Sequence, residues 1–123
     1  MSMLGQEYNT LGEWKRTHTC GELNKKNVNE QVILMGWVNT RRDHGGLIFV
    51  DLRDREGKTQ VVFDPKISEE AHLTAHKIRN EYVIAINGEV SNRGEDAINP
   101  NLKTGEIEIR VKNIKILNTS EPP

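Results

Sequence analysis

One aromatic side chain occupies a strand position that faces away from the predicted core, where a binding surface would lie. In residues 47–53 aliphatic side chains fill the even positions, so Phe49 points outward. An outward phenylalanine forgoes burial worth about 1.5–3 kcal/mol and can recover about 1–3 kcal/mol by stacking on an unpaired nucleic-acid base. The alternative is that the N-terminal residues cover the ring, and spacing alone leaves both interpretations open.

Polar residues on neighbouring predicted strands could hydrogen-bond to such a base. Gln60 is outward on the next strand, where its amide offers a donor and an acceptor. Arg41 and Arg42 end the preceding strand, and we expect one of them to face the groove, since a guanidinium matches phosphate oxygens or the guanine O6 and N7 acceptors. Glu108 can accept from the N4 amino group of cytosine. Simpler interpretations stay open: a solvated glutamine, arginines paired with nearby aspartates, and a surface charge beside Arg110.

Two further patterns bear on catalysis, and both point away from it. His72 and His76 are four residues apart and could share a metal ion, but no acid lies between them and no third ligand is evident. No glycine-rich phosphate loop with a lysine, GxSxG elbow or paired-cysteine motif occurs. We therefore expect a recognition module with no catalytic residue, metal ion or cofactor of its own.

Hydrophobic periodicity predicts the elements that position these residues. Ser68 is a predicted N-cap, from which a helix should run to about Glu81, and the residues from Ile114 onward should leave the fifth strand. Alternation predicts five strands, over Gln31–Arg42, Leu47–Arg53, Lys58–Phe63, Val83–Ser91 and Glu106–Lys112. An all-β chain with one helix between strands three and four is typical of the OB-fold, a five-stranded Greek-key β-barrel that binds oligonucleotides or oligosaccharides.

Length, charge and cysteine content indicate a single domain in a reducing compartment, in which any anion site is local. A chain of 123 residues is long enough for one ordinary domain. With 17 basic and 18 acidic residues the formal net charge is −1, so any anion site must be local. The single cysteine, Cys20, and the absence of an apolar leader or a membrane-spanning stretch predict a cytoplasmic protein without membrane association.

Several segments closely resemble the N-terminal anticodon-binding domain of bacterial aspartyl-tRNA synthetase. They are RTHTCGEL from Arg16, GWVNTRRDHGGLIFVDLRDREG from Gly36, QVVFDP from Gln60, RNE from Arg79 and TGEIE from Thr104. The resemblance implies an OB-fold over residues 16–118 that binds the anticodon of aspartate tRNA, an N-terminal extension over residues 1–15, and the start of a linker over residues 119–123. It also implies a class II catalytic domain beyond this chain that uses ATP and magnesium.

The same resemblance implies the role of each outward residue. Phe49 corresponds to the aromatic residue that stacks on the middle anticodon base, and Gln60 to the residue that hydrogen-bonds that base. Glu108 corresponds to the residue that recognises the third base, cytosine, and Arg42 to a contact of the first base, guanine or queuosine.

Three more positions take roles from the resemblance. Arg93 and Asn99 fall in the family loop that touches the same region. His44 resembles the residue of non-discriminating enzymes, which also charge asparagine tRNA, so we expect relaxed specificity. A carboxylate at Glu108 faces the O4 acceptor of uracil in the asparagine anticodon, and tolerance there needs a water, a proton or a moved side chain.

The resemblance also implies an oligomeric state and an activity for the full-length enzyme and for this chain. The full-length aspartate–tRNA ligase should be a homodimer, whereas this chain alone should be a monomer and form no aspartyl-adenylate. A sequence-tolerant single-stranded nucleic-acid-binding OB module is the alternative function. Two phenylalanines, two tyrosines and a net charge of −1 disfavour it.

Overall fold

The computed structural model describes residues 14–119 and confirms the predicted OB-fold. Its five strands form a closed barrel in the order β1-β2-β3-β5-β4. The strands are β1 (Gln31–His44), β2 (Leu47–Asp54), β3 (Gly57–Phe63), β4 (Val83–Asn92) and β5 (Ile107–Asn118), and the helix α1 (Glu69–Ala75) lies between β3 and β4. Residues 1–13 of the predicted extension and residues 120–123 of the predicted linker lie outside the described residues.

The barrel closes through one parallel contact. All other neighbouring strands pair antiparallel, and β3 pairs with β5 in parallel through Val61 with Ile109 and Val62 with Arg110. The hairpin between β1 and β2 turns on Gly45 and Gly46, whose φ angles are 60° and 85°. Positive φ at both central residues is what a type I′ two-residue loop requires, so glycine fits both positions.

The inward side chains of the alternating strands build the core, as the periodicity predicts. The strand residues of this core cluster are Val32, Leu34, Val38, Ile48, Val50, Leu52, Val61, Phe63, Ile84, Ile86, Val90, Ile107, Ile109 and Val111. Gly36 lets β1 approach β2 closely, because a Cβ at this position would collide with the backbone carbonyl of Arg53. The predicted role of Gly36 at a barrel corner agrees with this contact.

The helix is shorter than predicted. Ser68 is the N-cap, since its hydroxyl accepts from the Ala71 N–H, but α1 ends at Ala75 rather than near Glu81. Ile78 is fully buried and reaches the core from the turn after the helix. Glu81 has φ 73°, outside the right-handed helical region, and its N–H donates to the Val38 carbonyl at 2.7 Å. The apolar spacing identified core residues correctly. The residues after Ala75, however, form turns that lead back to β1 instead of further helical turns.

Strand β5 is longer than predicted because its alternation changes phase. The pairing partners of β4 shift between Asn87, opposite Asn113, and Gly88, opposite Val111, which leaves one extra residue in β5. Such a bulge moves the inward positions from odd to even numbers. Ile114 and Ile116 therefore continue β5 and pack against the core instead of leaving the strand.

Candidate nucleic-acid interface

A groove of about 300 Å³ lies on the outer face of β1, β2 and β3. Five of the seven sequence-predicted site residues line it, together with Asp43 and Ala97: Arg42, His44, Phe49, Gln60 and Arg93. We call this site the outer groove. The residues come from two strand ends, a strand centre and the loop after β4, so only the closed barrel brings them together.

Phe49 forms the apolar wall of the outer groove. It lies in β2 between the buried Ile48 and Val50, and its ring is partly exposed on the opposite face of the strand. The predicted outward orientation of Phe49 is confirmed. The guanidinium carbon of Arg42, its partner on β1, lies 5.9 Å from the ring centroid. This distance is near the limit for a cation–π contact and leaves ring surface open to the groove.

A chain of hydrogen bonds, which we call the polar ladder, crosses the barrel beside the ring. The Asp51 Oδ2 accepts from the Thr40 hydroxyl at 2.9 Å and from the Arg42 Nη1 at 3.4 Å. The Arg42 Nη2 donates to the Gln60 Oε1 at 3.1 Å, and the Gln60 Nε2 donates to the Glu108 Oε1 at 2.9 Å. These bonds leave Gln60 only 7% exposed, although its side chain is on the outer face.

The two arginines at the end of β1 have different partners. Arg42 faces the outer groove and pairs with Asp51. Arg41 donates from Nε to the Ala75 carbonyl at 3.1 Å and pairs with Asp43 at 3.2 Å, which fastens the hairpin to the end of α1. The expectation that one of the two arginines faces the groove is confirmed, and so is the interpretation that both form ion pairs.

Arg93 is the most deeply buried charge of the outer groove. It is 9% exposed, and its Nε and Nη1 donate to the carbonyls of Ile107 at 3.0 Å and Ala97 at 3.2 Å. Its Nη2 is buried without a hydrogen-bond partner among the described residues. Burial lowers the pKa of the Arg93 guanidinium, while the Glu108 carboxylate opposes that change. An arginine carries its charge at neutral pH, and both N–H groups of this Nη2 stay without an acceptor among the described residues.

His44 and Asn99 differ in their relation to the groove. His44, the last residue of β1, is exposed and lines the rim. Asn99 lies elsewhere in the loop after β4, where its Oδ1 accepts from the Asn101 N–H at 2.9 Å. Its carbonyl would collide with a Cβ at Gly105, so Asn99 helps to shape that turn.

Sequence reasoning missed Thr40 and Asp51. The register between β1 and β2 shifts between Val38, opposite Leu52, and Thr40, opposite Asp51. This bulge at Asn39 reverses the alternation, so that Thr40 and Arg42 face outward although Val38 faces the core. The alternation of β2 places Asp51 on the same outward face as Phe49, and this pattern could have identified Asp51 as a residue of the site.

The two histidines considered as metal ligands, His72 and His76, pack against each other. The His72 and His76 rings meet edge to face with centroids 4.9 Å apart, and the His72 Nε2 lies 3.0 Å from the Gly46 carbonyl oxygen. Within residues 14–119 no three His, Cys, Asp or Glu side chains are grouped to hold a metal ion. Over the same residues, no helix is long and apolar enough to cross a membrane.

The barrel and the groove define a class of protein, and sequence comparison identifies the same class. The chain belongs to the tRNA_anti-codon family of OB-fold nucleic acid binding domains, which matches residues 32–117. It is 59% identical over 114 residues to an aspartate–tRNA(Asp/Asn) ligase of Oleidesulfovibrio alaskensis, covering 93% of this chain and 19% of that relative. A ligase of the same name from Geotalea uraniireducens is 60% identical over 111 residues, covering 90% and 19%.

The solved structures extend the similarity to a more distant enzyme. The asparaginyl-tRNA synthetase from Pyrococcus horikoshii in complex with asparaginyl-adenylate matches with a TM-score of 0.72 and 25% identity, covering 88% of this chain and 23% of that one. The present chain spans about one fifth of the length of the curated ligases it matches. The similarity therefore concerns one domain of longer proteins.

Proposed function

We propose that this chain is the anticodon-binding domain of an aspartate–tRNA ligase and that the outer groove holds the anticodon bases. The observation that carries the proposal is the partly exposed Phe49 ring beside the polar ladder that ends on Gln60 and Glu108. Single-stranded RNA is recognised by splaying its bases onto aromatic rings and hydrogen-bonding their edges. The outer groove offers both kinds of contact side by side.

Each base takes the contact that its chemistry favours. The middle base, uracil, stacks on Phe49 and hydrogen-bonds to Gln60. The third base, cytosine, donates from N4 to Glu108. The first base lies toward Arg42, whose guanidinium suits the acceptors of guanine. Arg93 lines the opposite side of the groove, and its buried positive charge favours a phosphate or a base acceptor there. For Asn99 we propose only a role in shaping the loop.

The remainder of the longer enzyme carries out aminoacylation. In this proposal ATP and magnesium are bound there, the homodimer forms through that part, and the whole protein works in the cytoplasm. The residues of the present chain hold the tRNA and take no part in the chemistry. We expect the chain alone to be a monomer and to give no aspartate-dependent exchange of pyrophosphate into ATP.

Binding of a labelled anticodon stem-loop to the 123-residue chain tests the proposal. Fluorescence anisotropy should show a GUC stem-loop binding at least about tenfold more tightly than the same stem with a scrambled loop, since each base contact is worth about 1–3 kcal/mol. A polythymidine strand at equal salt is the control. Equal affinity for all three ligands would identify the chain as a sequence-tolerant single-stranded nucleic-acid binder.

We further propose that His44 belongs to a site that accepts asparagine tRNA as well. The support is the exposed position of His44 on the rim and the names of the relatives, which act on both tRNAs. GUC and GUU stem-loops should then bind with affinities within about fivefold of each other, below the lower end of what one base contact contributes. A GUU stem-loop that fails to bind would show that the domain is strict for aspartate tRNA.

A further inference from the structure

We propose that Asp51, held by Thr40, is a positioning residue that makes the groove prefer uracil over cytosine at the middle base. Asp51 contacts no base in this scheme. It acts through Arg42 on the orientation of the Gln60 amide. This inference rests on the proposed anticodon function and adds to it the residue that sets specificity.

The polar ladder begins at Asp51 because strand pairing puts its members in line. Thr40 is opposite Asp51 across β1 and β2, and Asp51 is opposite Gln60 across β2 and β3. One carboxylate oxygen of Asp51 accepts from both Thr40 and Arg42. The side chain of Arg42 is 50% exposed, and its Nη1 donates both to the Asp51 carboxylate and to the Thr40 hydroxyl at 3.4 Å, which together hold this long side chain over Gln60.

The partners of Gln60 define a single orientation of its amide. A guanidinium can only donate and a carboxylate can only accept. The Oε1 of Gln60 must therefore face Arg42, and the Nε2 must face Glu108, at 3.1 Å and 2.9 Å. A flipped amide would set two donors against each other at Arg42 and two acceptors against each other at Glu108. The ladder thus prevents the flip that a solvated glutamine undergoes freely.

A fixed amide distinguishes the two pyrimidines. Uracil presents the O4 acceptor and the N3–H donor, whereas cytosine presents the N4 amino donor and the N3 acceptor, so the two edges have opposite polarity. Gln60 keeps one lone pair on Oε1 and one N–H on Nε2 for a base. With the amide locked, the free lone pair and the free N–H match the edge of only one pyrimidine, which in this proposal is uracil. A freely rotating amide would match uracil and cytosine equally well.

Substitution of Asp51 tests this reasoning at a residue that contacts no base, and a change at Arg42 cancels in the affinity ratio of two stem-loops that share their first and third bases. Asp51→Asn removes the charge that holds Arg42, and Thr40→Val removes the hydroxyl that holds Asp51. The affinity ratio of GUC over GCC stem-loops should fall at least about fivefold in Asp51→Asn, the lower end of one base contact. In the side-chain amide region of the NMR spectrum, without RNA, the Gln60 protons should exchange with water faster. Thr40→Val should shift both measurements in the same direction, and Thr40→Ser should restore them.

Glu106→Gln is the matched control, because Glu106 is a half-exposed carboxylate outside the polar ladder that pairs with Lys25 at 3.7 Å. It should leave the ratio of affinities unchanged. An unchanged ratio in a folded Asp51→Asn, or an equal fall in Glu106→Gln, would overturn the proposal. If Asp51→Asn fails to fold, Thr40→Val and Thr40→Ser decide in its place.

The two proposals can fail separately. If the unsubstituted chain binds no stem-loop, the anticodon function is wrong, and the Gln60 amide signals still decide whether Asp51 holds the glutamine. Unchanged Gln60 signals in Asp51→Asn would contradict positioning even if the RNA binds well.

Discussion

Truncation of Phe49 is the perturbation that bears most directly on the outer groove. The ring is outside the core and partly exposed, so Phe49→Ala should cost less stability than the 3–5 kcal/mol that is typical, as a rough range, of a buried phenylalanine. Loss of stacking on one base costs about 1–3 kcal/mol of binding free energy, which corresponds to roughly a 5- to 150-fold weaker Kd. The Arg42 guanidinium at 5.9 Å contributes little to stability, so the loss should be concentrated in binding.

Anisotropy titration with a GUC stem-loop measures the effect, and thermal melting followed by circular dichroism confirms that the variant is folded. Phe49→Tyr keeps an aromatic face and should retain most of the affinity. Leu73→Ala removes another large apolar side chain, 59% exposed on α1, and should bind like the unsubstituted chain. If Phe49→Ala is folded and its Kd lies within about twofold of the unsubstituted value, base stacking on this ring is wrong.

Three further predictions concern residues outside the ring. Arg93→Ala leaves two backbone carbonyls without their donors and should lower the free energy of unfolding by about 2–4 kcal/mol, measured by urea denaturation. Hydrogen bonds from the backbone and hydroxyl of Thr19 lower the pKa of Glu22 below its ordinary value of 4.5; the stability advantage over Glu22→Gln should therefore be present above that pH and disappear as the pH falls through the lowered pKa in acid melting series. Burial raises the pKa of the Cys20 thiol, so iodoacetamide at mildly alkaline pH should label it only after denaturant is added, as mass spectrometry would show.

The strands could be predicted because inward and outward residues alternate along them. In β2 the pattern of Ile48, Val50 and Leu52 identified the buried face, and the same pattern turned Phe49 outward. The exceptions are bulges. At Asn39 and Lys112 one extra residue reverses the alternation, and local sequence carries no clear mark of it. The bulge in β1 matters most for the site, because it turns Thr40 and Arg42 to the outer face.

The site could be predicted one residue at a time, but its connections could not. Gln60 and Glu108 are 48 positions apart in sequence, and only the parallel pairing of β3 with β5 brings their side chains together. Gln60 alone looks like a solvated surface residue. Its burial follows from Arg42 on one side and Glu108 on the other, and those contacts depend on the order of the strands rather than on any local pattern.

The parallel contact between β3 and β5 also ties the interface to the mechanics of the fold. It has two residue pairs, Val61 with Ile109 and Val62 with Arg110, against ten pairs between β4 and β5. The bond from Gln60 to Glu108 spans this short junction from outside. An RNA held by both side chains would therefore bridge this two-pair junction, and we expect it to slow deuterium uptake by the amides of the junction more than elsewhere.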